Sequence, residues 1–267
     1  MFPIHDNIPS QRFPLVNTTI IIVCGLVFLI QLTQLQSDAL VLSFGMIPAR
    51  IGNPSEPIEV IHQIPVQTPY GIQLRTERQQ LGPSAVPPWM TLITCIFLHG
   101  GWMHILGNMW FLYIFGDNVE DRLGHLGYLI FYLACGVGAS AAHMAISPQS
   151  TVPTIGASGA IAGVMGAYFI LYPRAMVLAV IPIVFILQTV VVPAPLFLAV
   201  WFLMQFFQGT MSITSAASAG VAWWAHIGGF AIGCGIAYLL QSNKLTNPPV
   251  QERRPGTERI GQFRSFP

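Results

Sequence analysis

Apolar residues run through the chain in long blocks, separated by short polar or Gly/Pro-rich intervals, and the blocks are about as long as membrane helices. Roughly 20 apolar residues cross a hydrocarbon core about 30 Å thick. That ruler predicts helices near Thr18–Gln36, Trp102–Phe115, Tyr128–Ile146, Ala157–Tyr172, Ala194–Gly209 and Ala217–Gln241. The second and fourth are short for a crossing. A bilayer tolerates this where helix ends are packed in protein or face a wet cavity, so the brevity points to an internal site. The stretch Ala175–Val192 is also apolar, but it carries Pro182 and Gln188 and is bracketed by Pro173 and Pro193. It is expected to be re-entrant or interfacial rather than a seventh span.

Outside these blocks, residues 38–89 form a long, Pro-rich first loop in which the alternation of Ile58, Val60, Ile64 and Val66 predicts a short extended stretch. The domain layout is then a short tail over residues 1–16, one membrane domain over 17–243 and a polar tail over 244–267, expected to be disordered. The predicted fold is an all-α polytopic bundle of six transmembrane helices. Thr18–Leu35 is expected to be a retained span behind a tail carrying Arg12, not a cleaved signal.

Composition strengthens this picture. Only 8% of residues are charged against 53% hydrophobic, and the mean hydropathy is +0.62. No Asp, Glu, Lys or Arg occurs over residues 123–173 or 175–243, stretches of 51 and 69 residues that no soluble domain could present to water. A net charge of +1 provides no basic field for nucleic acid, so no such partner is expected. Six spans with the N-terminus inside place eight cations on the inner side (Arg12, Arg122, Arg174, Lys244, Arg253, Arg254, Arg259 and Arg264) and three outside (Arg50, Arg75 and Arg78). This is the sign the positive-inside rule requires, with both termini cytoplasmic. Cys24, Cys95, Cys135 and Cys234 sit singly in apolar segments, with no C-x-x-C pair, and support neither a disulfide framework nor a zinc site.

In so apolar a chain each polar side chain at membrane depth costs free energy, so those present are informative. His104 and Asn108, four residues apart, share one helical face. Gly156-Ala157-Ser158-Gly159 opens the fourth helix, and Ala225-His226-Ile227-Gly228-Gly229 lies in the sixth. Taken alone, Ser158 reads as a packing residue, His226 as a satisfied interior histidine, and His104 and Asn108 as interhelical glue. The pairing changes that reading. Gly159 with Gly163, and Gly229 with Gly233, form G-x-x-x-G spacings that let two helices approach closely, and each helix carries one chemically capable residue. A serine hydroxyl becomes a useful nucleophile when a neutral histidine within hydrogen-bond reach takes its proton. His104, Asn108 and the Ser158 N–H could then supply the donors a developing oxyanion needs.

No third member is evident. Asp117, Glu120 and Asp121 cluster after the second helix, across the bilayer from Ser158, so a serine mechanism here would use a dyad. The G-x-S-x-G elbow fails at Ala160. No H-E-x-x-H and no paired intramembrane aspartates occur, although His99, His104, His143 and His226 are all metal-competent. A transporter is opposed by the missing internal repeat and the missing mid-membrane charges. His104, Asn108, His143, Ser147, Gln149 and Ser150 are expected to line a water-filled pocket near the outer helix ends.

The string His99-Gly100-Gly101-Trp102-Met103-His104, then Asn108, Gly116, Glu120 and Gly124, followed by Gly156-Ala157-Ser158-Gly159 and Ala225-His226-Ile227-Gly228-Gly229, resembles the rhomboid intramembrane serine proteases. The matches fall in order between Trp89 and Tyr238. The resemblance implies a six-helix bundle with a cavity open to the outer side, Ser158 as nucleophile and His226 as general base. It further implies an oxyanion hole of His104, Asn108 and the Ser158 N–H, with Glu120 and Arg122 structural in the loop after the second helix. Substrates would be membrane proteins cut within or beside a transmembrane helix in the lipid bilayer, with no cofactor and no metal. Non-catalytic rhomboid-like proteins that bind or chaperone transmembrane helices are the alternative; these usually lack the serine or the histidine. The sequence departs from the family at Ala162, where many members place an aromatic ring against the histidine, so Tyr168 or Trp223 is expected to orient His226. It departs again at Pro88-Trp89-Met90-Thr91, where a Trp-Arg pair is frequent. A prokaryotic plasma membrane is the expected location.

Overall fold

The computed structural model describes residues 2–33, 37–54, 58–68, 71–183, 186–214 and 222–249. Six principal helices make up the bundle: α1 (Leu15–Thr33), α5 (Trp102–Leu123), α6 (His125–Ile146), α7 (Ser158–Leu171), α8 (Ala194–Thr214) and α9 (Trp223–Ser242). Three short helices, α2 (Ser37–Phe44), α3 (Pro48–Gly52) and α4 (Thr91–Thr94), precede α5. Four of the principal helices (α1, α6, α8 and α9) are long and apolar enough to cross a bilayer, and a fifth crossing is made if Pro88–Phe97 and α5, bent by 81°, count as one. The difference from the six-span expectation has two physical causes. The C-terminal half of α5 is polar, and α7 has only 14 residues.

Alpha7 is the axis of the bundle. Gly159 through Tyr168 are all buried, as expected for a helix that is apolar on every side. Its partners carry one-sided stripes. On α1 the buried positions are Asn17, Ile20, Cys24, Phe28 and Gln31, while Ile22, Leu26, Leu29 and Ile30 are exposed. On α8, Leu196, Leu203, Phe206 and Phe207 are exposed. These outward apolar faces require lipid rather than water as solvent.

The sequence places the carboxylate cluster after the second helix, but the structure continues α5 through it. Asp117, Asn118, Glu120 and Arg122 are buried. Glu120 Oε1 accepts the N–H of Val16 at 2.9 Å and Oε2 that of Asn17 at 2.8 Å, capping the otherwise orphaned donors at the start of α1. Arg122 donates to the Leu171 carbonyl at the end of α7, to the Asn247 carbonyl and to Thr246 Oγ1. Residues 246 and 247 are therefore docked on the bundle, while 250–267 lie outside the described residues. Gly124, with φ +71°, makes the sharp reversal from α5 into α6 that a residue with a side chain disfavours.

The all-α expectation is corrected by five strands. The apolar stretch at 175–192, expected to be re-entrant or interfacial rather than a seventh span, is extended rather than helical. It forms an antiparallel hairpin of β4 (Met176–Ile183) and β5 (Ile186–Pro193), and β1 (Phe2–Asp6) pairs with β4 on its other edge. The Val and Ile content of the segment favours this extended form. Asp6, at the end of β1, accepts from Tyr168 Oη at 2.7 Å and from Asn118 Nδ2 at 2.6 Å. In the first loop, the expected extended stretch is one arm of a longer hairpin, β2 (Ile58–Thr68) with β3 (Gly71–Leu81). The loop also braces the segment leading into α7, because Met46 and Thr154 exchange both backbone hydrogen bonds and Ala49 N–H donates to Ser150.

Candidate active site

Ser158 is the first residue of α7, and the chain reaches it through Gly156. At φ +123° Gly156 adopts a conformation that side chains disfavour, and a Cβ there would fall 2.7 Å from His104 Nε2. Its N–H donates to the Cys95 carbonyl at 2.9 Å, which fixes the approach to Ser158. The N–H groups of Ser158, Gly159 and Ala160 stand at the helix start, where no intrahelical acceptor precedes them.

His226 is on α9, one turn in from Trp223. The two helices meet backbone to backbone: a Cβ on Gly229 would overlap the Gly159 carbonyl, and one on Gly233 would overlap the Gly163 carbonyl. This is the close approach that the G-x-x-x-G spacings predict. It brings Ser158 Oγ within 2.7 Å of His226 Nε2.

His104 and Asn108 face the same space from α5. His104 Nδ1 accepts from the Gly100 N–H at 3.2 Å, and its ring meets that of His99 edge-on at 5.2 Å. The loop carrying His99 is held by Gln31 of α1, whose side chain donates to the His99 carbonyl and accepts its N–H. Asn108 is 9% exposed, and its Nδ2 is buried with no protein partner. Ser158, His226, His104 and Asn108 all line one cavity of about 250 Å³, together with Ser140 and Thr154. His143, Ser147, Gln149 and Ser150, expected in the lining, are not part of it. Ser140, one turn before His143 on α6, takes that place. Among the described residues no group of three or more His, Cys, Asp or Glu is arranged to hold a metal.

The residue that contacts the far side of His226 was missed by sequence reasoning. Gln205 of α8, 8% exposed, places Oε1 2.7 Å from His226 Nδ1. Tyr168, expected as a candidate for this contact, instead donates its hydroxyl to Asp6 and packs on Phe115. Trp223 does touch His226, with ring centroids 6.0 Å apart and planes at 88°, and Trp201 of α8 lies 6.1 Å away on another side. The signal for Gln205 was present: it is one of two amides, with Gln208, in the uncharged stretch Trp201–Gly209.

Outward apolar faces, and an internal cavity between α5, α7 and α9 that is lined by Ser158, His226, His104 and Asn108, define an integral membrane protein with an internal site. The chain belongs to the rhomboid family, whose domain profile matches residues 87–243, more than half of its length. Over 77 residues it is 42% identical to Rhomboid-like protein 11, chloroplastic, of Arabidopsis thaliana, covering 29% of this chain and 27% of that protein. Over 95 residues it is 41% identical to Rhomboid protease GluP of Bacillus subtilis, covering 35% of this chain and 18% of that one. Over 80 residues it is 36% identical to the Putative rhomboid protease YdcA of the same bacterium, covering 30% and 40%. In each case the match spans well under half of the relative's own length.

Proposed function

We propose that this protein is an intramembrane serine endopeptidase that hydrolyses peptide bonds within or next to the transmembrane helices of other membrane proteins. The observation that carries this reading is the 2.7 Å separation of Ser158 Oγ and His226 Nε2 in an internal cavity that His104 and Asn108 also line. The naming of two Bacillus relatives as rhomboid proteases is in keeping with it.

In the proposed reaction His226 takes the Ser158 proton as Oγ attacks the scissile carbonyl, and returns it to the leaving amine. The developing oxyanion is met by the Ser158 N–H, by Asn108 Nδ2, a buried donor with no other protein partner, and by His104. Water then hydrolyses the acyl-enzyme. The described parts of both chain ends favour an even number of crossings. Asp6 is held by Asn118 and Tyr168, and Asn247 by Arg122, at the same end of the bundle. With α7 and α5 both counted as crossings this gives six spans, and the positive-inside distribution makes that end cytoplasmic.

The test is cleavage of a single-span reporter in proteoliposomes by wild type, Ser158→Ala and His226→Ala. Cleavage by wild type alone supports the dyad. A folded wild type inert toward several reporters and toward a fluorophosphonate would favour the non-catalytic, helix-binding alternative.

A further inference from the structure

Resting on the Ser158–His226 reading above, we propose that Gln205 is the positioning residue of the base. Its amide oxygen accepts the Nδ1 proton of His226, fixing both the tautomer and the direction of the ring. A neutral imidazole carries one N–H and one lone pair. For Nε2 to take the serine proton, the ring proton must reside on Nδ1, and a buried N–H there needs an acceptor. Gln205 Oε1, at 2.7 Å, is that acceptor. An amide oxygen can only accept, so this contact selects the Nδ1–H tautomer and leaves the Nε2 lone pair directed at Ser158 Oγ.

The placement is built into α8. Ala194, Phe197, Leu198, Gln205 and Gly209 are buried at helical spacing, while Leu203, Met204, Phe206 and Phe207 on either side of Gln205 are exposed. Gln205 is thus the polar position on the inward stripe of a helix that otherwise faces lipid. No carboxylate competes for the role. Among the described residues the cavity has no Asp, Glu, Lys or Arg in its lining, and the titratable groups around His226 are His104 of α5 and His143 of α6. The nearest acids along α5 begin at Asp117, 13 residues from His104, or about 20 Å along the helix. Gln205 orients as the acid of a triad would, without adding its charge.

The experiment compares wild type, Gln205→Leu and Gln205→Glu as full-length protein in proteoliposomes, with the single-span reporter and Ser158→Ala as control. Gln205→Leu removes the acceptor at similar size. It is expected to lower kcat by about 10- to 100-fold with KM within twofold, because only the base is disordered. Gln205→Glu restores an acceptor and adds a charge that favours the protonated ring. It should recover kcat at neutral pH and move the acid limb of the kcat profile upward by about one pH unit. A role in packing alone would leave that limb in place. A Gln205→Leu rate within twofold of wild type, or a Gln205→Glu profile superimposable on wild type, overturns the proposal. If Gln205→Leu fails to fold by thermal scan, the Gln205→Glu profile decides alone. Wild type equal to Ser158→Ala would instead overturn the dyad itself and the Gln205 role with it.

Discussion

Gly163 on α7 and Gly233 on α9 touch through their main chains, so that a methyl group on Gly233 would overlap the Gly163 carbonyl. The interval between Ser158 and His226 is therefore set by backbone contact, which no rotamer change relaxes. Gly233→Val is expected to separate the helices and abolish fluorophosphonate labelling. Overpacking of this kind costs about 1–3 kcal/mol. Gly235, on the same helix, meets nothing within 4 Å and serves as control, since Gly235→Ala should label normally.

Gly156 is constrained twice, by its φ of +123° and by the His104 ring. Gly156→Ala should displace His104 and reduce turnover by about 10²–10³, as loss of one oxyanion donor does. The comparison is with His104→Ala: if the two effects arise from one disturbed group, the double variant will be no slower than either single one.

Glu120 acts on stability rather than on chemistry. Glu120→Ala would strip the two N–H groups at the start of α1 of their acceptors and remove the partner of His125 Nδ1. The expected cost is about 1–3 kcal/mol, seen as a lower thermal midpoint in detergent. Activity per folded molecule should stay at the wild-type level.

Arg122→Lys keeps the charge but not the fork that reaches Leu171, Thr246 and Asn247 together. Residues 245–249 should then be cut more readily by added protease, and unchanged digestion would contradict the docking described for them.

A helical substrate hides its carbonyls in the i to i−4 ladder, so cleavage requires local unwinding. Replacing Gly or Pro near the cut of a substrate by Leu should slow hydrolysis, because Gly and Pro weaken helices by about 1 and 3 kcal/mol. Equal rates would show that unwinding does not limit the reaction.

Much of the bundle could be read from hydropathy, because long uncharged blocks have few alternatives. The helix starts expected at Trp102 and Ala157 lie at, or within one residue of, those of α5 and α7. What misled was polarity. The run from Asp117 to Arg122 reads as a loop, yet Glu120 and Arg122 are satisfied by the start of α1 and the end of α7, so the helix continues. The 175–192 segment, expected to be re-entrant or interfacial rather than a span, is a hairpin, and its apolarity concealed a strand preference carried by Val and Ile. At the site, Ser158 and His226 stood out because chemistry singles out serine and histidine. Gln205 was passed over because an amide has no chemistry of its own, and its importance depends on a neighbour 21 residues away.

The shortness of α7 has a geometric consequence. Fourteen residues rise about 21 Å, and the Arg122 cap on Leu171 marks the end opposite Ser158. Against a hydrocarbon core of about 30 Å, α7 is about 9 Å short, and under the proposed topology Ser158 would lie about that far below the outer surface. The molecule is then a depth gauge. A substrate helix entering from the lipid would present to the hydroxyl a bond about six residues inside its outer boundary while still helical, and about three if extended. Where a substrate is cut would be decided as much by how deep it sits as by which residues it carries.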